Sequence, residues 1–67
     1  MPERLANRLK ERRTELGLTQ AELAERCGVT RKTVNTVENG VFIPSTLLAL
    51  KLSKVLSEPV ETLFWLD

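Results

Sequence analysis

The 67-residue chain contains no histidine, no tyrosine and one cysteine, Cys27. Without histidine it lacks the usual Cys/His zinc ligands and imidazole-based acid–base catalysis. A single cysteine excludes an intramolecular disulfide, and Cys27 is expected as a small buried hydrophobe. No apolar run approaches the ~18 residues that a membrane span needs. Met1-Pro2-Glu3-Arg4 leads into a charged helical pattern, which predicts no signal peptide and a cytoplasmic location. There is no phosphate-cradling glycine loop and no acid pair with a pocket, and so small a chain can hardly enclose a substrate. No enzyme, metal or cofactor is therefore expected. No repeat, low-complexity tract or linker divides the sequence, so residues 1–67 are read as one domain.

What is present suits a folded domain. Hydrophobic residues make up 42% and charged residues 28%, which argues against disorder. The formal net charge is only +1, but it is unevenly spread. Residues 1–32 carry eight basic residues against five acidic ones, and residues 33–67 carry two basic against four acidic. A domain polarised in this way can turn a basic face to phosphates despite its small total charge.

Apolar residues recur with helical spacing along the whole chain, which predicts an all-α fold of five helices. The first spans residues 3–16, with Leu5, Leu9 and Leu16 on one face and Gly17 as its stop. The second spans 19–27 and opens on a capping box, Thr19-Gln20-Ala21-Glu22, with Leu18 as a hydrophobic staple to Leu23. Gly28 then permits a tight turn. The third, residues 30–38, is capped by Thr30 and ended by Asn39-Gly40. The fourth follows Pro44, is capped by Ser45, and runs to 56 with Leu48, Leu52, Val55 and Leu56 as its apolar stripe. The fifth starts at Pro59 and carries Val60, Leu63 and Phe64. No segment alternates with period two for long enough to suggest a sheet.

The stretch from Gln20 to Val37 carries the functional reading. Two short helices meet at Gly28, and the small Ala24 lets them cross closely. Leu23, Cys27, Val29, Val34 and Val37 supply one apolar seam between them. Opposite that seam the second helix of the pair shows Arg31, Lys32, Asn35 and Thr36, clustered towards its N-terminus. Side chains of these types match the edges of bases in the major groove. Arg and Lys donate to guanine O6 and N7, Asn pairs with adenine, and the Thr methyl meets thymine.

The phrases Arg8-Leu9-Lys10-Glu11-Arg12-Arg13, Gly17-Leu18-Thr19-Gln20-Ala21-Glu22-Leu23-Ala24, Gly28-Val29-Thr30-Arg31-Lys32-Thr33-Val34 and Val37-Glu38-Asn39-Gly40 occur in order. Pro44-Ser45, a leucine-rich helix and Glu61-Thr62-Leu63-Phe64 complete the pattern. In this combination the chain resembles the Cro/cI-type helix-turn-helix domains of the XRE family over almost its whole length. The resemblance implies a five-helix transcriptional regulator, a repressor, bound as a homodimer to a palindromic double-stranded DNA operator and so held at the nucleoid. It implies that Gln20 contacts phosphate and braces base-reading side chains, and that Thr30, Arg31, Lys32 and Thr36 face the groove. It places Thr19, Thr33, Asn39 and Gly40 near phosphates, partly through backbone N–H groups. Arg13 and Glu38 match a structural ion pair that joins the first helix to the end of the third.

Some positions depart from the family pattern. Val41-Phe42-Ile43 is apolar where relatives carry phosphate-seeking residues, Ser57-Glu58 replaces a Gly-apolar pair, and Leu47 stands at a polar position. The concentrated apolar terminus Leu63, Phe64, Trp65 and Leu66 is expected to form a dimer seam. Phe42, Ile43, Leu47 and Trp65 keep a second reading open, a protein-interaction or antitoxin-type module of the same fold.

Overall fold

The computed structural model describes residues 3–67; Met1 and Pro2, which open the N-terminus read above, lie outside the described residues. In chain order the elements are β1 (Leu5–Asn7), α1 (Leu9–Glu15), α2 (Gln20–Cys27), α3 (Arg31–Glu38), α4 (Thr46–Leu56), α5 (Val60–Leu63) and β2 (Phe64–Leu66).

Local chemistry explains where most of the helices begin. The Thr19 hydroxyl accepts from the Glu22 N–H at 3.0 Å, and the Glu22 carboxylate accepts from the Thr19 N–H at 2.9 Å. These bonds hold the Glu22 carboxyl below its usual range, the backbone bond being the larger cause. Thr30 receives the Thr33 N–H and Ser45 the Leu48 N–H in the same manner, which satisfies donors that no helical carbonyl can reach. At the end of α2, Gly28 takes a left-handed conformation, φ 70°, and the Gly28 and Val29 N–H groups turn back to the carbonyls of Glu25 and Ala24.

The fold of five helices is as expected, but the first helix starts later than its expected bounds and the N-terminus adds a small two-stranded sheet. Residues 5–7 are a strand rather than the first turn of a helix, and β1 pairs antiparallel with β2 in the register Leu5↔Leu66, Ala6↔Trp65 and Asn7↔Phe64. Asn7 stops any helix from extending backwards. Its Oδ1 accepts from the Leu9 N–H at 3.1 Å, and its Nδ2 donates to the carbonyl of Val37 at 3.1 Å, at the far end of α3. Leu5 and Leu9 lie four residues apart as they would on a helix, but Leu5 packs on the core from a strand. Leu16, expected on the same buried face, lies beyond the last residue of α1 and is exposed.

The core joins Leu9, Leu18, Leu23, Ala24, Cys27, Val34, Val37, Leu48, Leu52, Leu56, Leu63 and Phe64, all buried. Every helix contributes at least one of these residues, and β2 closes the cluster with Phe64. Burial also pushes the Cys27 thiol pKa up, which disfavours the reactive thiolate.

The Ser57-Glu58 departure has a structural counterpart. Ser57 ends α4 in the left-handed region at φ 55°, the one non-glycine residue with positive φ among those described. The turn is held by the Glu58 N–H bonding to the Ser53 carbonyl and by the Ser53 hydroxyl donating to the Glu58 carbonyl. A side chain in this conformation costs roughly 1 kcal/mol that glycine does not incur. Glycine's greater freedom in the unfolded chain offsets part of this, so Ser57→Gly should raise the melting temperature by at most roughly 4 °C. A thermal melt that showed no rise would mean that serine is unstrained there.

Candidate nucleic-acid interface

α2 and α3 form the two arms of the motif, with the turn at Gly28 between them. The nearly inaccessible Ala24 leaves room for their close crossing, and Val34 and Val37 bury the inner face of α3. The outer face must then present the remaining residues of that helix. Arg31 and Lys32 are exposed, while Thr33, Asn35 and Thr36 are half-buried on the next turn. Thr30 is exposed as the cap, and its hydroxyl lies 3.1 Å from that of Thr33. The Thr36 hydroxyl donates to the Thr33 carbonyl at 3.0 Å. Thr19 is exposed at the start of α2, and Asn39 and Gly40 are exposed beyond the end of α3. Of the residues singled out in the sequence, the outer face of α3, the start of α2 and the end of α3 thus lie on neighbouring parts of one motif.

A side-chain network braces this surface from behind. Arg13 on α1 meets Glu38 at the end of α3 with Nε to Oε2 at 2.7 Å and Nη2 to Oε1 at 3.1 Å. The two side chains are 9% and 3% exposed, so the pair is buried. The hydrogen bond to Glu38 is the main cause of a raised Arg13 pKa, reinforced by the carboxylate charge and opposed by burial. Arg13 Nη1 also donates to the Leu18 carbonyl at 2.9 Å, which ties down the loop before α2. Gln20 reaches from α2 to Glu38 Oε1 at 3.0 Å and to Asn35 Oδ1 at 3.1 Å, and receives Arg31 Nη1 at 3.3 Å. The start of α2, the end of α3 and one exposed cation are therefore joined by hydrogen bonds.

The basic surplus of the first 32 residues divides in two. Arg8 and Arg12 lie within 3.4 to 3.7 Å of Glu11, Glu15 and Glu58, and Arg12 Nε donates to the Leu56 carbonyl at 2.9 Å, closing the end of α4. These arginines hold the domain together. Lys10, Arg26, Arg31 and Lys32 form no ion pair among the described residues.

Two structural roles were not anticipated from the sequence. Asn7 ties β1 to α1 and α3, and Arg12 caps α4. An Asn two residues before the first buried leucine of a helix is a start signal that places that helix at Leu9, whereas the Arg12 contact spans 44 residues and has no local signature. The expected seam at the C-terminus is corrected in half of its members. Leu63 and Phe64 are buried in the chain's own core, because α5 and β2 fold back under α4 and β1. Trp65, 44% exposed, and Leu66, 67% exposed, remain at the surface. Phe42, Ile43 and Leu47 are exposed as well.

The likeness to known proteins follows the same outline. A helix-turn-helix family model matches residues 9–63. YgzD, an uncharacterized HTH-type transcriptional regulator of Bacillus subtilis (strain 168), is 46% identical over 63 residues, which cover 94% of this chain and 96% of the relative. An uncharacterized HTH-type transcriptional regulator of Methanothermobacter thermautotrophicus is 50% identical over 60 residues, 88% of this chain and 87% of that protein. Among solved structures, the restriction-modification controller protein C.AhdI from Aeromonas hydrophila superposes with a TM-score of 0.76 at 37% identity, over 81% of this chain and 82% of the other. Five helices, two of them crossing at a glycine turn, and matches that span nearly the whole sequence converge: the chain belongs to the Cro/cI-like helix-turn-helix family, a family of DNA-binding transcriptional regulators and not of enzymes.

Proposed function

We propose that residues 1–67 act as one sequence-specific repressor domain that lays α3 in the major groove of a palindromic operator as a homodimer. The observation that carries this reading is the pair Arg31 and Lys32, exposed and free of ion pairs at the N-terminal end of a helix whose other face is locked into the core. That end is where a recognition helix meets base edges. Arg31 and Lys32 read guanine, Thr36, Asn35 and Gln20 complete the base-facing set, and Thr19, Thr30, Thr33, Asn39 and Gly40 line up on the phosphates. Repression then needs only occupancy of the operator. No helix among the described residues is long and apolar enough to cross a membrane, and DNA binding would keep the protein in the cytoplasm at the nucleoid.

Trp65 and Leu66 support the dimer. They stand exposed on the two-stranded sheet, and Phe42 and Ile43 are exposed as well. Sedimentation at tens of micromolar should show a dimer that Trp65→Ala shifts to monomer; a monomeric wild type would remove the two-fold reading.

Selection of bound duplexes from a random pool tests the function. The expected product is a palindrome whose half-sites lie about one helical turn apart, ~34 Å, lost in Arg31→Ala/Lys32→Ala. Absence of an enriched motif from folded protein would sink the proposal. Exposed Phe42, Ile43 and Leu47 favour one other reading, a protein-binding or antitoxin-type module. A stoichiometric partner retained in the presence of excess DNA would select it.

A further inference from the structure

The network behind α3 is made of groups whose hydrogen-bonding sense is dictated in some cases and free in others. A guanidinium only donates, a carboxylate only accepts, and an amide does either according to which way it is turned. The fixed members constrain the free ones. Arg13 donates two N–H groups to Glu38, whose side chain is 3% exposed. The Gln20 atom 3.0 Å from Glu38 Oε1 must therefore be its nitrogen. Its oxygen then faces the other way, where Arg31 Nη1, a second obligate donor, meets it at 3.3 Å. Two arginines at opposite ends of the network require the same orientation of this amide.

The constraint passes on. The nitrogen of Gln20 also lies 3.1 Å from Asn35, which must present its oxygen there. Asn39 Nδ2 donates to the same Asn35 oxygen at 3.2 Å. An amide oxygen has two lone pairs, and both are now engaged. Asn35 Nδ2, with two hydrogens, has no hydrogen-bond partner among the described residues, and it belongs to the half-buried turn that follows Arg31 and Lys32.

We infer that Glu38 sets the direction of the Gln20, Asn35 and Asn39 amides, and so makes Asn35 a donor that selects a keto base, guanine or thymine, over an amino base. This inference rests on the major-groove reading above and deepens it. The usual pairing of Asn with adenine needs the Asn oxygen for the adenine N6 hydrogen, and here that oxygen is occupied. Guanine O6 and thymine O4 accept a hydrogen bond where adenine and cytosine carry their amino groups. Where the donor meets this substituent and not the N7 that both purines share, a donor facing a donor loses the bond and leaves both groups desolvated. Glu38 touches no base in this scheme; it is a positioning residue that acts through Gln20.

The test is selection of bound duplexes by wild type, Asn35→Ala, Asn35→Asp and Glu38→Gln, each first shown to be folded by circular dichroism. Hydrogen exchange of the side-chain amides of the free wild type, read by NMR, accompanies it. Asn35→Ala should flatten one position in each half-site and thereby locate the contact. At that position wild type should prefer guanine or thymine by roughly 5- to 100-fold. Asn35→Asp, which only accepts, should reverse the preference to adenine or cytosine. Glu38→Gln should relax the preference there more than at any other position, whereas a merely structural role would weaken binding to all sequences alike. In the free protein the Gln20 and Asn39 amide hydrogens should exchange more slowly than those of Asn35.

A wild-type preference for adenine or cytosine, no position that responds to Asn35→Ala, or Asn35 hydrogens more protected than those of Gln20 would overturn this inference and leave the major-groove reading standing. No enriched motif from folded wild type would overturn both. Should Glu38→Gln fail to fold, Asn35→Asp and the exchange rates decide.

Discussion

Replacing Arg13 with alanine should cost about 3–5 kcal/mol of folding stability, because it leaves Glu38 charged and 3% exposed with no cation beside it. A chain this short has a total stability of roughly 3–5 kcal/mol, so Arg13→Ala should be largely unfolded at room temperature. The size of the loss comes from the stranded charge and not from the worth of the pair. Two buried charges give up their hydration to meet, and a pair of apolar residues of similar volume does nearly as well. Arg13→Met/Glu38→Leu should therefore recover most of what Arg13→Ala loses. It will fall short by about 2 kcal/mol, because the Leu18 carbonyl no longer receives Arg13 Nη1 and Gln20 Nε2 no longer reaches Glu38. Urea unfolding of the two variants decides the matter. Equal losses would show that Arg13 stabilises through its packing and its bond to Leu18, with the charge incidental. Glu38 raises the Arg13 pKa further above an already high ordinary value. A group raised on folding contributes fully below its unfolded pKa, so this contribution persists across the neutral and acid range where Arg13 is charged, as long as Glu38 is ionised.

The second large effect is expected in binding with stability left intact. Arg31→Ala and Lys32→Ala should each weaken binding to the selected operator by about 1–3 kcal/mol. That is roughly 5- to 150-fold in Kd. The double variant should approach the affinity that the wild type shows for scrambled DNA. Both side chains are exposed and free of ion pairs, so their removal should change stability by less than about 0.5 kcal/mol. Fluorescence anisotropy on operator and scrambled duplexes at one fixed salt concentration separates the two effects, since phosphate contacts alone vary steeply with salt. Equal weakening on both duplexes would reassign Arg31 and Lys32 to the phosphates. Unchanged affinity would remove them from the interface.

Arg31 illustrates how far the sequence leads. Its position on the outer face of α3 follows from helical spacing against Val34 and Val37, and its exposure was expected on that ground. Its contact with Gln20, eleven residues away on another helix, depends on how α2 crosses α3. The same division holds at the C-terminus. In the sequence Leu63 and Phe64 read with Trp65 and Leu66 as one apolar seam, because four consecutive apolar residues carry no sign of which two face inward. In the folded chain α5 buries Leu63, and β2 buries Phe64 and leaves the next two residues outside.

Caps, glycine stops and periodicity mark α2, α3 and α4 within a residue or two, because each helix start is settled by contacts three residues apart. Thr19 with Glu22, Thr30 with Thr33 and Ser45 with Leu48 are decided by neighbours on the chain. The two strands escape such a reading. Each has three residues, and each is stable only because the other, at the opposite end of the sequence, lies beside it. Asn7 changes from a helical residue to a helix stop through bonds that reach 30 residues to Val37. The helices α2, α3 and α4 and the outward-facing residues of α3 were thus determined by local chemistry. The terminal sheet, the inward turn of Leu63 and Phe64, and the direction of the Gln20–Asn35 amides were decided only in three dimensions, where an obligate donor on one helix met an obligate acceptor on another.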